Sequence, residues 1–289
     1  MTSAPEDLRA RVLLDAGALR RELAGPAAPV LLDVRWALGD PHGRDHHRAG
    51  HLPGAVYVDL DTELAAPPTS TGGRHPLPEL ADLQAAARRW GVDAGSRVVA
   101  YDATGGTAAA RAWWLLRWAG VPDVRLLDGG LAAWTDTGGV LEAGPGRVPT
   151  PGDVTLTGGG MPVLDAEGAA RLARDGLLLD ARAGARYRGE VEPVDPRAGH
   201  VPGSVSAPTT DNLTPDGRFL DPTALGDRFT RSGTETGRPV GVYCGSGVTA
   251  AHEIAALASL GIEAALFGGS WSAWSTDPTR PAAIGPEPG

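Results

Sequence analysis

The sequence holds one cysteine, Cys244, and the residues around it could do covalent chemistry. Cys244 ends the apolar run Val240-Gly241-Val242-Tyr243 and precedes Gly245-Ser246-Gly247-Val248-Thr249, after which a helical pattern begins. A strand ending in a Gly-rich turn lets successive backbone N–H groups converge on one point, and a helix N-terminus adds positive potential there. A sulfur at that point is stabilised as the thiolate, the form that attacks as a nucleophile. The glycines suit a turn that needs positive φ and a close approach to the sulfur. A lone cysteine is more often a small buried hydrophobe. Here the strand, loop and helix around it favour the nucleophile.

Other chemistries fit less well. A cysteine-based phosphatase needs an arginine six positions after its cysteine to grip phosphate with a bidentate fork; that position is Ala250. His42, His46, His47 and His51 invite a metal reading, but Gly43 and Gly50 interrupt any helix that would align them. No cysteine or carboxylate completes a ligand set there, so a solvated loop and no metal are expected. Trp113, Trp114 and Trp118 suit a packed helix face.

The elements that position Cys244 are visible because the chain repeats itself once. Leu31-Leu32-Asp33-Val34-Arg35 and Gly50-His51-Leu52-Pro53-Gly54 are answered by Leu178-Leu179-Asp180-Ala181-Arg182 and Gly199-His200-Val201-Pro202-Gly203. Val98-Val99-Ala100-Tyr101-Asp102 is answered by Val240-Gly241-Val242-Tyr243-Cys244, and Asp128-Gly129-Gly130-Leu131 with Trp134 by Phe267-Gly268-Gly269-Ser270 with Trp274. Asp102 therefore stands where the second copy has its cysteine, in a differently built loop. Leu31–Val34, Val98–Tyr101, Val124–Leu127, Leu177–Asp180, Val240–Tyr243 and Ala264–Phe267 are too short and too uniformly apolar for amphipathic helices, and read as strands. Ala108–Ala119, closed by Gly120, and Thr249–Leu260, closed by Gly261, read as helices. Such alternation predicts an α/β fold of two tandem domains, each a mainly parallel sheet flanked by helices. The expected domains span 1–143 and 160–289, joined by a Gly- and Pro-rich linker over 144–159.

The segment Cys244-Gly-Ser-Gly-Val-Thr249 resembles the active-site loop of the mercaptopyruvate sulfurtransferases, within the wider rhodanese family. Asp33-Val-Arg-Trp36, Gly50-His-Leu-Pro-Gly54, Arg111-Ala-Trp-Trp114 and Leu127-Asp-Gly-Gly-Leu131 resemble that family's catalytically silent first domain. Asp180-Ala-Arg182, Arg186-Tyr-Arg-Gly189 and Gly268-Gly-Ser-Trp271 resemble its catalytic second domain. The resemblance implies two tandem rhodanese-like domains and a cysteine that takes sulfur from a donor and holds it as a persulfide. The acceptor is then cyanide or a thiol, including a thioredoxin-like one. No cofactor is implied.

The resemblance also assigns residues. Arg186 matches the substrate-binding arginine, whereas Arg182, beside Asp180, reads as structural. Mercaptopyruvate-preferring members carry a second arginine nine residues after the first; here that position is Asp195, and the nearest arginine is Arg197. The loop favours 3-mercaptopyruvate as donor, and the displaced arginine keeps thiosulfate open. Ser246 would touch the donor's carbonyl or sulfur, with His51 and Asp40 as relay partners. Against that, His200 fills the place of His51 in the second copy, so both could simply pin a loop. A sulfur-relay carrier serving a protein partner is the alternative to a turnover enzyme.

With 289 residues the chain suits two cores better than one. A net charge of −9 argues against nucleic acid and anionic membranes as partners. No apolar run approaches the length of a membrane span. The polar stretch from Met1 to Ala10 does not read as a signal peptide. One cysteine cannot form an internal disulfide, so a cytoplasmic location is expected.

Overall fold

The computed structural model describes residues 5–235 and 237–289; Met1 to Ala4, within the polar amino-terminal stretch, lie outside them. The uniformly apolar runs form strands because both faces of a parallel sheet are covered by helices. β1 (Leu13–Leu14), β2 (Val30–Asp33), β3 (Val56–Tyr57), β4 (Val98–Tyr101) and β5 (Val124–Leu127) make one sheet, ordered β1-β5-β4-β2-β3. β6 (Val163–Leu164), β7 (Leu177–Asp180), β8 (Val205–Ser206), β9 (Val240–Tyr243) and β10 (Ala264–Phe267) make a second, ordered β6-β10-β9-β7-β8. Every pairing in both sheets is parallel. The two-residue edge strands escape a sequence reading because a period needs more residues than they have.

Each middle strand is followed by a helix buried almost all round, Ala109–Trp118 in the first sheet and Thr249–Ser259 in the second. Gly120 and Gly261 close them at φ +93° and +78°, left-handed positions that glycine tolerates without strain. Trp113 and Trp114 are buried core residues, and Trp118 stacks on Trp114 at 6.2 Å.

The repeated sequence blocks are repeated polar anchors. Arg35 donates to Asp33 and to the Gly50 carbonyl, both at 2.7 Å. Arg182 donates to Asp180 at 2.6 Å and to the Gly199 carbonyl at 2.7 Å. The Tyr101 hydroxyl accepts the Leu52 N–H and the Tyr243 hydroxyl the Val201 N–H. Buried charges persist only when paired in this way.

The chain condenses into two units whose borders differ from the expected boundaries. One holds Met1–Ala66, Pro78–Met161 and Thr214–Phe219; the other holds Pro67–Leu77, Pro162–Leu213 and Leu220–Gly289. The stretch over 144–159 is laid onto the first unit, with the Gly152 N–H on the Arg88 carbonyl, the Thr157 N–H on the Ala119 carbonyl, and Val154 and Leu156 buried. Among the described residues no helix is long and apolar enough to cross a membrane.

Candidate active site

Cys244 follows the last residue of β9 and is almost fully buried. Its Sγ accepts the Gly247 N–H at 3.1 Å, and Gly247 can turn there because it adopts φ +80°. The Cys244 N–H donates to Ser270 Oγ at 3.1 Å, and its carbonyl accepts the Trp271 N–H at 3.0 Å. The helix Thr249–Ser259 starts directly after the loop, so its positive end is set against the sulfur. That helix is anchored from below. Glu253 accepts from Asn212 at 2.6 Å and from Arg228 at 3.0 Å, and His252 Nδ1 meets Thr209 Oγ1 at 2.7 Å. Burial pushes the Glu253 carboxyl up, with Arg228 opposing.

The first unit shows what such a loop can hold. Asp102 follows β4 as Cys244 follows β9, and its carboxylate accepts four backbone N–H groups, from Thr104, Gly106, Ala108 and Ala109, at 2.7–2.9 Å. The loop is therefore an anion cradle, and in this copy the anion is built in.

Ser246 Oγ lies 2.7 Å from His75 Nδ1. The histidine that meets Ser246 is thus His75, not the His51 expected from the sequence. His51 is fully buried, bonds the His47 carbonyl through Nδ1 at 2.8 Å, and stacks on the His47 ring at 3.9 Å. His200 does the same in the second unit, bonding the Tyr187 carbonyl and stacking on Tyr187 at 3.7 Å. Both histidines thus bond a carbonyl of a preceding helix. Asp40 is held by the His42 N–H and by His46, at 2.9 and 2.8 Å. His75 belongs to Pro67–Leu77, the segment of the first half that folds into the second unit. A signal for it exists in the sequence. The first repeat is longer than the second between its third and fourth strands, and Gly72-Gly73-Arg74-His75 falls in that unmatched stretch.

Arg186 lies beside the loop. A Cβ built on Gly245 would sit 3.3 Å from Arg186 Nη1 and 3.1 Å from Arg74 Nη2. Arg186 also donates to Glu192 at 2.7 Å and to Asp195 at 3.0 Å, and Asp195 pairs with Arg74 as well. Arg197, the expected second clamp, is engaged elsewhere. Its guanidinium donates to the carbonyls of Trp274, Ser275, Asp277 and Arg280 at 2.8–3.0 Å, closing the end of the helix Ser270–Thr276. The second arginine at the loop is Arg74.

Ser270 is the other residue the sequence reading passed over. The sheet register sets it against Gly130, not Leu131, because the Leu131 N–H bonds the Asp102 carbonyl as the Trp271 N–H bonds that of Cys244. Ser270 adopts φ +51°, the only non-glycine with positive φ among the described residues.

A parallel sheet whose middle strand delivers a cysteine into an anion cradle at a helix N-terminus is the frame of a sulfurtransferase. The rhodanese-like domain matches the chain twice, over residues 15–137 and 165–277, and the chain belongs to that family. It is 46% identical over 282 residues to "Putative thiosulfate sulfurtransferase SseB" of Mycobacterium tuberculosis, covering 96% of this chain and 98% of that protein. It is 48% identical over 282 residues to "Probable 3-mercaptopyruvate sulfurtransferase" of Pseudomonas aeruginosa, covering 94% and 98%. Among solved structures, the 3-mercaptopyruvate sulfurtransferase SseA of Escherichia coli matches with a TM-score of 0.74 at 30% identity, over 90% of this chain and 98% of that one. The chain is a sulfurtransferase.

Proposed function

We propose that Cys244 carries sulfane sulfur as a persulfide between a small anionic donor, 3-mercaptopyruvate or thiosulfate, and a thiol or cyanide acceptor. The observation that carries this reading is the Gly247 N–H on Cys244 Sγ, in a loop whose duplicate holds a full negative charge on four N–H groups. A persulfide anion needs the same cradle.

The thiolate of Cys244 attacks the donor's outer sulfur. With thiosulfate the sulfur–sulfur bond breaks and sulfite leaves with the electron pair. With 3-mercaptopyruvate the carbon–sulfur bond breaks, and the carbon leaves as the enolate of pyruvate, which must gain a proton. Ser246, paired with His75, stands two residues from the nucleophile and supplies a hydrogen-bonded route for that proton. Arg186 holds the donor's anionic head. In the second half-reaction the acceptor attacks the outer sulfur and Cys244 departs as the thiolate. Cyanide gives thiocyanate; a thiol gives a hydropersulfide, and a thioredoxin-like thiol suits this step. A lone thiol with this chemistry belongs in the reducing cytoplasm.

Intact mass spectrometry after incubation with each donor should show a gain of one sulfur atom, removed by a thiol reductant. Cys244→Ser should neither gain the sulfur nor turn over. Native turnover by that variant overturns the mechanism.

A further inference from the structure

Resting on the reading of Cys244 as the acceptor of sulfur from an anionic donor, we propose that Arg74 is the second donor-binding arginine and that Asp195 is the residue that sets which donor charge the site accepts. Arg74 and Arg186 reach Gly245 from different segments, and their nearest nitrogens lie 3.1 and 3.3 Å from the point where a side chain would begin. Glycine lets both guanidiniums close on the loop beside Cys244, where any side chain would press against them. A compact anionic head lying against both guanidiniums accepts N–H bonds from the two at once.

Asp195 stands behind this space. Its side chain is 2% exposed and its carboxylate joins the two arginines, one through each oxygen. Glu192 braces Arg186 from the same side and is itself held by the N–H groups of Val194 and Asp195. Arg74 Nε is buried without a hydrogen-bond partner. An unpaired buried donor is costly, and a bound acceptor relieves that cost. Arg74 itself is aimed by Ser272, whose Oγ accepts the Arg74 N–H at 3.1 Å.

The two arginines and two carboxylates cancel formally, so the clamp offers geometry without net charge. A neutral clamp discriminates by the donor's own charge. 3-Mercaptopyruvate with its thiol protonated is a monoanion, whereas thiosulfate is a dianion that loses twice as much from each positive charge withheld. Asp195 therefore biases the site towards a monoanionic, carboxylate-headed donor. Burial raises the Asp195 carboxyl, while Arg74 and Arg186 draw it down.

Single-turnover loading of Cys244 tests this, with persulfide formation followed for each donor. Asp195→Asn adds one net positive charge and should raise the thiosulfate-to-mercaptopyruvate ratio of loading constants roughly tenfold. Arg74→Gln should lower loading by both donors about 10- to 100-fold, with the larger loss for thiosulfate, and Arg74→Lys should restore part of it. Native loading in Arg74→Gln, or a donor ratio unchanged in both variants, overturns the proposal. The opposite signs expected keep the test open even if one variant fails to fold. Failure of the Cys244 reading would look different: the wild-type protein would form no persulfide with either donor.

Discussion

Asp102 and Cys244 occupy the same register position in the two sheets, each one residue past a tyrosine paired with an aspartate of the neighbouring strand. Tyr101 pairs with Asp33 and Tyr243 with Asp180. The same backbone junction thus holds a carboxylate in one copy and a thiol in the other. The Asp102 carboxylate is engaged by the N–H groups of its own loop.

Asp102→Asn should leave donor turnover within about twofold of native at 25 °C while lowering stability. The amide turns an NH2 towards N–H groups that now meet oxygen, which costs about 2–4 kcal/mol, or a melting temperature lower by roughly 5–10 °C. A large fall in kcat with an unchanged melting temperature would show the first copy to be catalytic.

Ser246→Ala should separate the two donors. Only carbon–sulfur cleavage leaves a carbanion that needs a proton, so 3-mercaptopyruvate turnover should fall about 100-fold while thiosulfate turnover changes little. His75→Gln should follow the same pattern, because Ser246 Oγ meets His75 Nδ1 at 2.7 Å. Equal losses with both donors would remove the pair from proton delivery.

Ser270 holds a left-handed backbone that costs of order 1 kcal/mol. Its hydroxyl offsets this by accepting the Cys244 N–H and donating to the Phe267 carbonyl at 2.9 Å. Ser270→Ala keeps the strain and strands the buried N–H, so it should destabilise by about 2–3 kcal/mol. Ser270→Gly relieves the strain and should cost less. Chemical denaturation of both variants checks the order; a glycine variant less stable than the alanine one contradicts this account.

Glu253 predicts a pH dependence. Its carboxyl is raised above the ordinary value of 4.5 by burial, so the folded state binds its proton more tightly than the unfolded chain. That stabilisation is complete below the unfolded value and is lost as pH rises through the folded one. Glu253→Gln carries no such proton. The melting temperature of the wild type relative to Glu253→Gln should therefore fall as pH rises above 4.5. A difference that grows with pH would mean that Arg228 outweighs burial.

The strands that carry the site were legible because both sheet faces are covered, which leaves short uniformly apolar runs such as Val98–Tyr101 and Val240–Tyr243. The Cys244 loop was legible because its strand, cysteine, glycines and following helix are contiguous in sequence. His75 and Arg74 were not, since they sit in a Pro- and Gly-rich stretch without periodicity, far from Cys244 in sequence. Doubled glycines in both copies offer a false register that sets Ser270 against Leu131, and hydrogen bonding to Asp102 and Cys244 resolves it in favour of Gly130. Arg197 lies close to Arg186 in sequence, but closeness in sequence says nothing of where a side chain points.

The segments Pro67–Leu77 and Thr214–Phe219 exchange places, each folding into the unit that the other half of the sequence builds. The first brings Arg74 and His75 to the loop of the second unit; the second brings its Phe219 N–H to Asp128 at 2.8 Å in the first. The duplicated halves are therefore no longer interchangeable modules. Separating the halves at the centre of the chain would part Cys244 from Arg74 and His75, and would leave each product short of a segment its unit contains. The exchange therefore ties the two halves to one polypeptide, although only one copy carries a thiol at that junction.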